Sequence, residues 1–204
     1  MASFIYLASQ SPRRGQLLDQ LGVRYALLLP DADENAEALE AALKNEAPAS
    51  YVKRVTALKL DAAMARLTRR KLPPAPVLCA DTTVAMNRTI YGKPENAKDA
   101  VRMLTELSGQ THRVLTAIAV QSGRRRFDAL CTSRVRFEAM TAAQIRAYVG
   151  TGEPMGKAGA YAIQGRAAQH IGHISGSYSG IMGLPLLETA LLLGNFGIKS
   201  SKNK

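Results

Sequence analysis

A strand and a helix start meet in the segment Phe4-Ile5-Tyr6-Leu7-Ala8-Ser9-Gln10-Ser11-Pro12-Arg13-Arg14. Residues 4–9 predict a buried strand, and Ser11-Pro12 supply an N-cap and a first helical residue for a helix that ends at Gly22. Unpaired N–H groups at a helix start favour anions, so cations there oppose the dipole by about 0.3 to 1 kcal/mol each. Two arginines in this first turn therefore indicate an anion site, since a bound phosphate would reverse the penalty. The alternative is that both arginines simply reach solvent.

Beyond this segment, stretches with the apolar periodicity of helices alternate with stretches that have the pattern of strands. Helices are predicted at 50–69, at 97–107, after Thr141 and from Pro185, and strands at 77–80, 113–121 and 127–137 with a hairpin at 84–91. In the second helix the residues expected to face the core are Tyr51, Val52, Val55, Leu58, Ala62 and Ala63. This alternation predicts a mixed α/β fold.

The bulk composition describes a globular chain with an unusual charge. It has 204 residues, 47% of them apolar, no apolar run near the length of about 18 residues that spans a membrane, and a net charge of +11. We expect a soluble intracellular protein in which Cys79 and Cys131 are buried reduced thiols. The charge favours polyanionic partners. The exposed-looking clusters at 69–71 and 124–126 are interpreted as solvated surface, because only 5% of residues are aromatic.

Two acidic positions are candidates for catalysis. Asp81 directly follows the apolar strand at 77–80, which would fix a partly desolvated carboxylate able to hold a metal or accept a proton from water. Asp is also a common turn residue. Asp31, Asp33 and Glu34 form a second acidic patch suited to a metal ion, although these residues could equally be N-terminal charges of a following helix.

Further candidate site residues are two lysines and the residues of a glycine-rich stretch. Lys93 stands between Gly92 and Pro94, a constrained backbone that suits a fixed charge for phosphate, whereas Lys59 on a helix has no such argument. The block 156–165 is too rich in glycine for a sheet core and suits close approach to a ligand. Within it, Gln164 could read a base edge, or its amide could simply face solvent.

Several established site types are excluded by spacing. The chain contains no GxxxxGK[ST] and no GxGxxG phosphate motif. The segment 176–180 has Tyr at its centre and is not a GxSxG elbow. The three histidines have no HExxH context, which argues against a zinc site.

Together these segments resemble the Maf family of nucleotide pyrophosphatases from Leu7 to about Leu193. The matching motifs, in chain order, are Ala8 to Arg14, Asp33-Glu34, Lys59, Ala80-Asp81-Thr82, Gly92-Lys93-Pro94, Leu107 to His112, Lys157 to Gly165 and Gly183 to Leu186. Each motif alone has only moderate specificity for the family, but their order and spacing together are highly specific. Two positions depart from the family pattern, with Gly156 where Asp is usual and Gly180 near a frequent Asn.

The resemblance implies a two-lobed mixed sheet flanked by helices with a central cleft, of the inosine triphosphatase-like type. A catalytic domain would cover residues 1–198, followed by a disordered basic tail at 199–204. The implied partners are a nucleoside triphosphate and a second copy in a homodimer, without membrane or nucleic acid, in the cytoplasm.

The resemblance also implies roles for individual residues. Asp81 would accept the proton of the attacking water, with Lys59 and Lys93 as further catalytic groups. A divalent cation, Mg²⁺ or Mn²⁺, would bind Glu34 and Asp81. The substrate-binding set would be Ser9, Arg13, Arg14, Thr82, Lys157 and Gln164.

Base choice is expected from Arg13, Thr82 and Gln164, and the last two resemble the dTTP/UTP branch. The first alternative is the 7-methyl-GTP branch, which typically has a different residue after the aspartate and Glu-Gly in place of Gln164-Gly165. A second alternative, suggested by the charge of +11, is a nucleic-acid-binding or cell-division regulator with a vestigial cleft.

Overall fold

The computed structural model describes residues 4–31, 34 and 37–199, and it contains a seven-stranded mixed sheet flanked by helices. The strands are β1 (Ile5–Leu7), β2 (Tyr25–Leu27), β3 (Val77–Met86), β4 (Thr89–Tyr91), β5 (Thr111–Ser122), β6 (Arg125–Phe137) and β7 (Ile171–Ser175). The helices are α1 (Pro12–Gln20), α2 (Pro48–Arg69), α3 (Ala97–Leu107), α4 (Ala142–Gly150), α5 (Tyr178–Met182) and α6 (Leu186–Gly194). The predicted α/β class is confirmed. Asp33 and the tail residues 200–204 lie outside the described residues.

The sheet has the order β2-β1-β3-β5-β6-β7, with β4 paired to β3. The strand β1 pairs in parallel with β2 and β3, and the remaining pairs are antiparallel. Long ladders join β3 to β5 and β5 to β6, so these three strands form the rigid centre of the sheet. The helix α2 packs against β3 and β5.

One side of β3 is interrupted, and this interruption opens the cleft. On that side β3 pairs with β1 only at Val77 and Leu78, and with β4 only from Val84 to Met86. Among the described residues no strand pairs with 79–83 on that side. Backbone and side chains at the centre of β3 therefore border an opening instead of another strand.

The expectation that Asp81 follows the end of a short strand is wrong. Asp81 lies near the middle of β3 and is paired with Ala117 of β5. The ladder with β5 continues past the aspartate, which keeps the strand intact. A polar side chain is tolerated there because of the gap on the other side of β3.

The buried face of α2 matches the prediction except at Leu58 and at Ala62, which is half-buried and lines the cavity described below. Tyr51, Val52, Val55 and Ala63 are buried, whereas Leu58 is 37% exposed and Leu60 is fully buried instead. A stripe of period 3.6 through Val52, Val55 and Ala63 includes position 60 and leaves position 58 on the outer edge.

The described helices are each too short or too polar to cross a bilayer. Both cysteines are buried free thiols, as predicted. Burial raises the pKa of Cys79 to about 12, so this thiol stays protonated near neutral pH.

Candidate active site

A cavity of about 700 Å³ lies at the interruption of β3. Its walls come from the segment after β1, from α2, from the centre of β3 and from the glycine-rich segment before β7. Every residue predicted as a site residue lines it, namely Ser9, Arg13, Arg14, Glu34, Lys59, Asp81, Thr82, Lys93, Lys157 and Gln164. Residues separated by up to 155 positions in the chain thus meet at one place.

The two arginines of α1 point into the cavity wall and not into bulk solvent. Arg14 donates from Nε to the carbonyl of Gly183 at 2.8 Å and from Nη1 to Ser9 Oγ at 2.9 Å. Arg13 donates from Nε to the carbonyl of Met182 at 3.4 Å. Burial lowers the pKa of both guanidinium groups, although they stay charged at neutral pH. The alternative of two freely solvated arginines is therefore excluded.

Strand alternation in β3 sends Asp81 and Thr82 to opposite faces of the sheet. Asp81 shares the face of Val77 and Cys79, which packs on α2, so its carboxylate meets Lys59 with an Nζ–Oδ1 distance of 2.6 Å. The residue is only 7% exposed. Burial raises the pKa of Asp81, and the positive charges of Lys59 and Arg14 oppose this rise. The result is a carboxylate that is more basic than usual and held by a cation.

On the other face, Thr82 belongs to a chain of hydroxyl groups. Its Oγ1 lies 2.9 Å from Thr116 Oγ1, which donates to the carbonyl of Gly180 at 2.7 Å. A Cβ atom added to Gly183 would lie 3.6 Å from Thr82 Oγ1 and 3.7 Å from Arg14 Nε. The threonine therefore lies close to Arg14 and is fixed by hydrogen bonds to β5 and α5.

The glycine-rich segment 156–165 is hydrogen-bonded to the loop after β4 that carries Lys93. The N–H of Gly159 donates to the carbonyl of Gly92 at 3.0 Å, directly before Lys93. Gly159 has φ +69°, and a Cβ atom there would lie 2.8 Å from a methyl carbon of Val84. Only glycine fits this close approach. Further along, Gln164 is exposed on the cavity wall, where its amide can meet a ligand.

Two further acidic residues that line the cavity differ in their partners. Glu34 accepts from Arg66 Nε at 3.0 Å and from Arg69 Nη2 at 2.5 Å, and these contacts lower its pKa to about 2. Glu40 instead contacts two lysines of the cavity, Lys59 at 2.7 Å and Lys93 at 3.0 Å. Sequence reasoning singled out neither Glu40 nor Arg66, since nothing distinguishes them from nearby surface charges.

A metal ion would find few protein ligands here. Among the residues that the structure describes, no group of three or more His, Cys, Asp or Glu side chains is arranged to hold one. Asp81 offers a carboxylate facing the cavity, and both oxygens of Glu34 are engaged by arginines. This donor set fits the hard cations that bind through one or two carboxylates and complete their shell with substrate phosphates and water.

Comparison with known proteins identifies the family. The profile of the Maf-like protein family matches residues 4–196. The chain belongs to the Maf family. This Maf protein is 69% identical to a dTTP/UTP pyrophosphatase of Albidiferax ferrireducens over 98% of the chain and 100% of that relative. It is also 69% identical to a dTTP/UTP pyrophosphatase of a Polaromonas species, over 97% of the chain and 98% of the relative.

Among solved structures, a nucleoside-triphosphatase / dITP/XTP pyrophosphatase of Mycobacterium abscessus matches this Maf chain with a TM-score of 0.41. The two are 11% identical, and the match covers 65% of this chain and 73% of the other.

The Maf motifs thus correspond to the walls of one cavity. The helix α1, which carries Arg14, packs on the face of β3 that bears Leu78 and Ala80, whereas Asp81 belongs to the α2 face. Lys93 and Gln164 come from the loop after β4 and the segment before β7. Gly156, which stands where the family usually has Asp, has φ +70°, a backbone conformation that glycine adopts without strain. A Cβ atom added there would meet open space among the described residues. Lys157 beside it donates to the carbonyl of Met155 at 3.4 Å.

Proposed function

We propose that this Maf protein hydrolyses dTTP and UTP to the monophosphate and pyrophosphate. The observation that carries the proposal is a buried basic carboxylate, Asp81, in a cavity whose walls carry the cations Arg13, Arg14, Lys59, Lys93 and Lys157. A triphosphate has nearly four negative charges, so a site for it needs converging cations more than covalent chemistry. The relatives named dTTP/UTP pyrophosphatase support this substrate class.

The reaction is an in-line attack of water on the α-phosphorus. A bond forms between the water oxygen and this phosphorus, and the bond from it to the bridging oxygen of the β-phosphate breaks. Pyrophosphate leaves with the electron pair, and the proton of the water passes to Asp81. Burial makes Asp81 a better base than an ordinary aspartate, and Lys59 holds it by its Oδ1 atom.

The other cations and polar groups bind and orient the substrate. Arg13, Arg14 and Ser9 form an anion cradle at the start of α1, while Lys93 and Lys157 line the same cavity from the loop after β4 and the glycine-rich segment. Charge that develops on the leaving pyrophosphate is stabilised by these fixed donors. Thr82 and Gln164 lie on the walls of the same cavity and are proposed to select the pyrimidine base.

A divalent cation, Mg²⁺ or Mn²⁺, is part of the proposal. Asp81 would hold it together with phosphate oxygens, and Glu34 would join only by giving up Arg66 or Arg69. When bound, such an ion neutralises phosphate charge and polarises the phosphorus for attack. The homodimer and the cytoplasmic location stay predictions.

A substrate panel tests the function. Purified protein with Mg²⁺ is given dTTP, UTP, 7-methyl-GTP and the other triphosphates, and pyrophosphate release is measured. We expect dTTP and UTP to be cleaved with the highest kcat/KM. A preference for 7-methyl-GTP would contradict the base assignment, and salt-dependent oligonucleotide binding without any cleavage would contradict the enzyme assignment.

A further inference from the structure

The Glu40 carboxylate lies between two lysines of the cavity. Its Oε1 accepts from Lys59 Nζ at 2.7 Å and from Lys93 Nζ at 3.2 Å, and its Oε2 lies 3.0 Å from Lys93 Nζ. The side chain is 25% exposed and lines the cavity. Burial favours the neutral acid, but the two lysines outweigh it and keep the pKa of Glu40 below its usual value. The group is therefore a carboxylate anion at neutral pH.

The turn that carries Glu40 is braced against α2. Tyr51 donates its hydroxyl to the carbonyl of Glu40 at 2.9 Å, and Arg54 Nη2 donates to the carbonyl of Ala41 at 2.9 Å. Burial and the nearby carboxylates raise the pKa of Tyr51 to about 12, so this hydroxyl remains a donor. Since α2 also carries Lys59, one helix fixes both the lysine and the carboxylate that binds it.

The remaining cations of the cavity have different partners. The hydrogen bonds that Arg13, Arg14 and Lys157 donate within the described residues go to neutral oxygens. Lys59 and Lys93 instead share the carboxylate of Glu40, and Lys59 also binds the carboxylate of Asp81. Bound phosphate oxygens and Glu40 would compete for the same ammonium groups, because a lysine binds both anions as a point charge.

We infer that Glu40 stands in for a phosphate of the substrate between Lys59 and Lys93, and that its return to these lysines speeds the release of pyrophosphate. The inference rests on the proposed function. On binding, the phosphate tail displaces the carboxylate from the lysines, and on release the carboxylate takes them back. Lys59 keeps its ion pair with Asp81 throughout, and the exchange of Glu40 for phosphate replaces one anionic contact by another at both lysines. Glu40 thereby weakens product binding in favour of turnover.

The test is the binding of pyrophosphate to the Glu40→Gln variant, which removes the negative charge at nearly constant shape. Titration calorimetry is done without divalent metal, so that binding is separated from turnover. We expect pyrophosphate to bind about tenfold more tightly than to the unaltered protein, the size of one charge-assisted contact. KM for dTTP and kcat should fall together, because the product leaves more slowly.

Matched variants separate charge from shape. Asp61→Asn removes the same charge from the outer face of α2, where Asp61 pairs with Arg126, and should leave pyrophosphate binding unchanged. Glu40→Asp keeps the charge and should stay close to the unaltered protein. Glu40→Ala removes the charge by truncation and should tighten binding as Glu40→Gln does.

Unchanged or weaker pyrophosphate binding in both neutral variants would overturn the inference. A Glu40→Gln variant that needs more Mg²⁺ for activity and binds pyrophosphate no better would make Glu40 a metal ligand instead. The substrate panel on the unaltered protein is independent of this experiment. Failure of the inference would therefore leave dTTP and UTP cleavage standing, and failure of cleavage would be seen before any variant is made.

Discussion

At the scale of single residues, the site depends on a carboxylate kept in an environment that disfavours its charge. Asp81 is nearly buried, and Lys59 offsets only part of the cost of ionising it there. Evolution toward stability alone would replace such a group by a neutral one. Its presence at the interruption of β3 is therefore not explained by folding stability and supports the proposed role of Asp81 as the base.

The Asp81→Asn variant is expected to lose activity while it keeps its fold. Loss of the base should lower kcat by about 10²- to 10⁴-fold for both dTTP and UTP. Because the pKa of Asp81 is raised in the folded state, its contribution to the free energy of unfolding falls as pH rises through that pKa. The neutral amide removes this cost, so the urea midpoint at pH 7 should be unchanged or slightly higher. Activity retained in this variant, beside an active Asp61→Asn control, would refute the role of Asp81 as base.

His112 predicts how the protein responds to acid. Burial lowers the pKa of this histidine to about 4, and Nε2 lies 2.8 Å from Tyr161 Oη. Between about pH 6.5 and pH 4 the unfolded chain binds a proton that the folded chain excludes, so stability falls as pH is lowered, by up to about 3 kcal/mol. Urea unfolding across this range should show a smaller acid loss in His112→Gln. The exposed His173→Gln should retain the full loss, and equal curves for both variants would contradict the prediction.

Site residues whose type is unusual for their position in a helix could be predicted from the sequence. Site residues whose type is ordinary for their position could not. Two arginines in the first turn of a helix are unusual by themselves, and this feature predicted the anion site at Arg13 and Arg14. Glu40 is one carboxylate among several in an acidic stretch, and its importance arises only when Lys93, 53 positions later, reaches it. Arg66 likewise looks like an ordinary cation near the end of a helix until it contacts Glu34.

At the scale of elements, the hairpin of β3 and β4, the ladder of β5 and β6 and the boundaries of α3 followed from apolar periodicity and glycine positions. The error at Asp81 has a physical origin. Alternation along one strand does not reveal how far each neighbouring strand extends. The gap exists because β1 pairs with β3 only at Val77 and Leu78, and β4 pairs with it only from Val84 to Met86. The short edge strands β2 and β7 were also missed, since three to five residues carry little periodicity.

Close packing of the glycine-rich segment on β3 should be visible in a pair of alanine variants. Gly159 and Gly152 both have left-handed φ values, of +69° and +74°, but only at Gly159 would a Cβ meet another residue, Val84 at 2.8 Å. Gly152→Ala should cost about 1 to 2 kcal/mol from backbone strain alone. Gly159→Ala should cost about 1 to 3 kcal/mol more from the collision.

Urea unfolding of the two proteins measures the difference, and Val84→Ala added to Gly159→Ala should restore part of it. Gly159→Ala should also raise KM, because the Gly159 hydrogen bond to Gly92 holds the Lys93 loop. Equal destabilisation by both alanines would show that the two segments do not touch as described.

At the scale of the whole molecule, a net charge of +11 surrounds a cavity that is itself rich in cations. Such a field attracts a triphosphate over distances comparable to the Debye length. Raising the ionic strength from about 0.01 M to 1 M should lower kcat/KM by about tenfold or more. The value of kcat at saturating substrate should change much less, because bound phosphates are shielded from salt. A kcat/KM that does not depend on salt would show that the charge has another purpose.

The hydrogen bonds from Arg13 and Arg14 to Met182 and Gly183 join the first helix to a turn 169 residues later. A ribosome therefore synthesises the two arginines well before their carbonyl partners. A growing polypeptide that has not yet reached Gly183 therefore lacks these hydrogen bonds, and we expect it to hydrolyse no nucleotide. Under the proposed function, activity would begin only after the turn at 182–183 has been synthesised and has packed against α1.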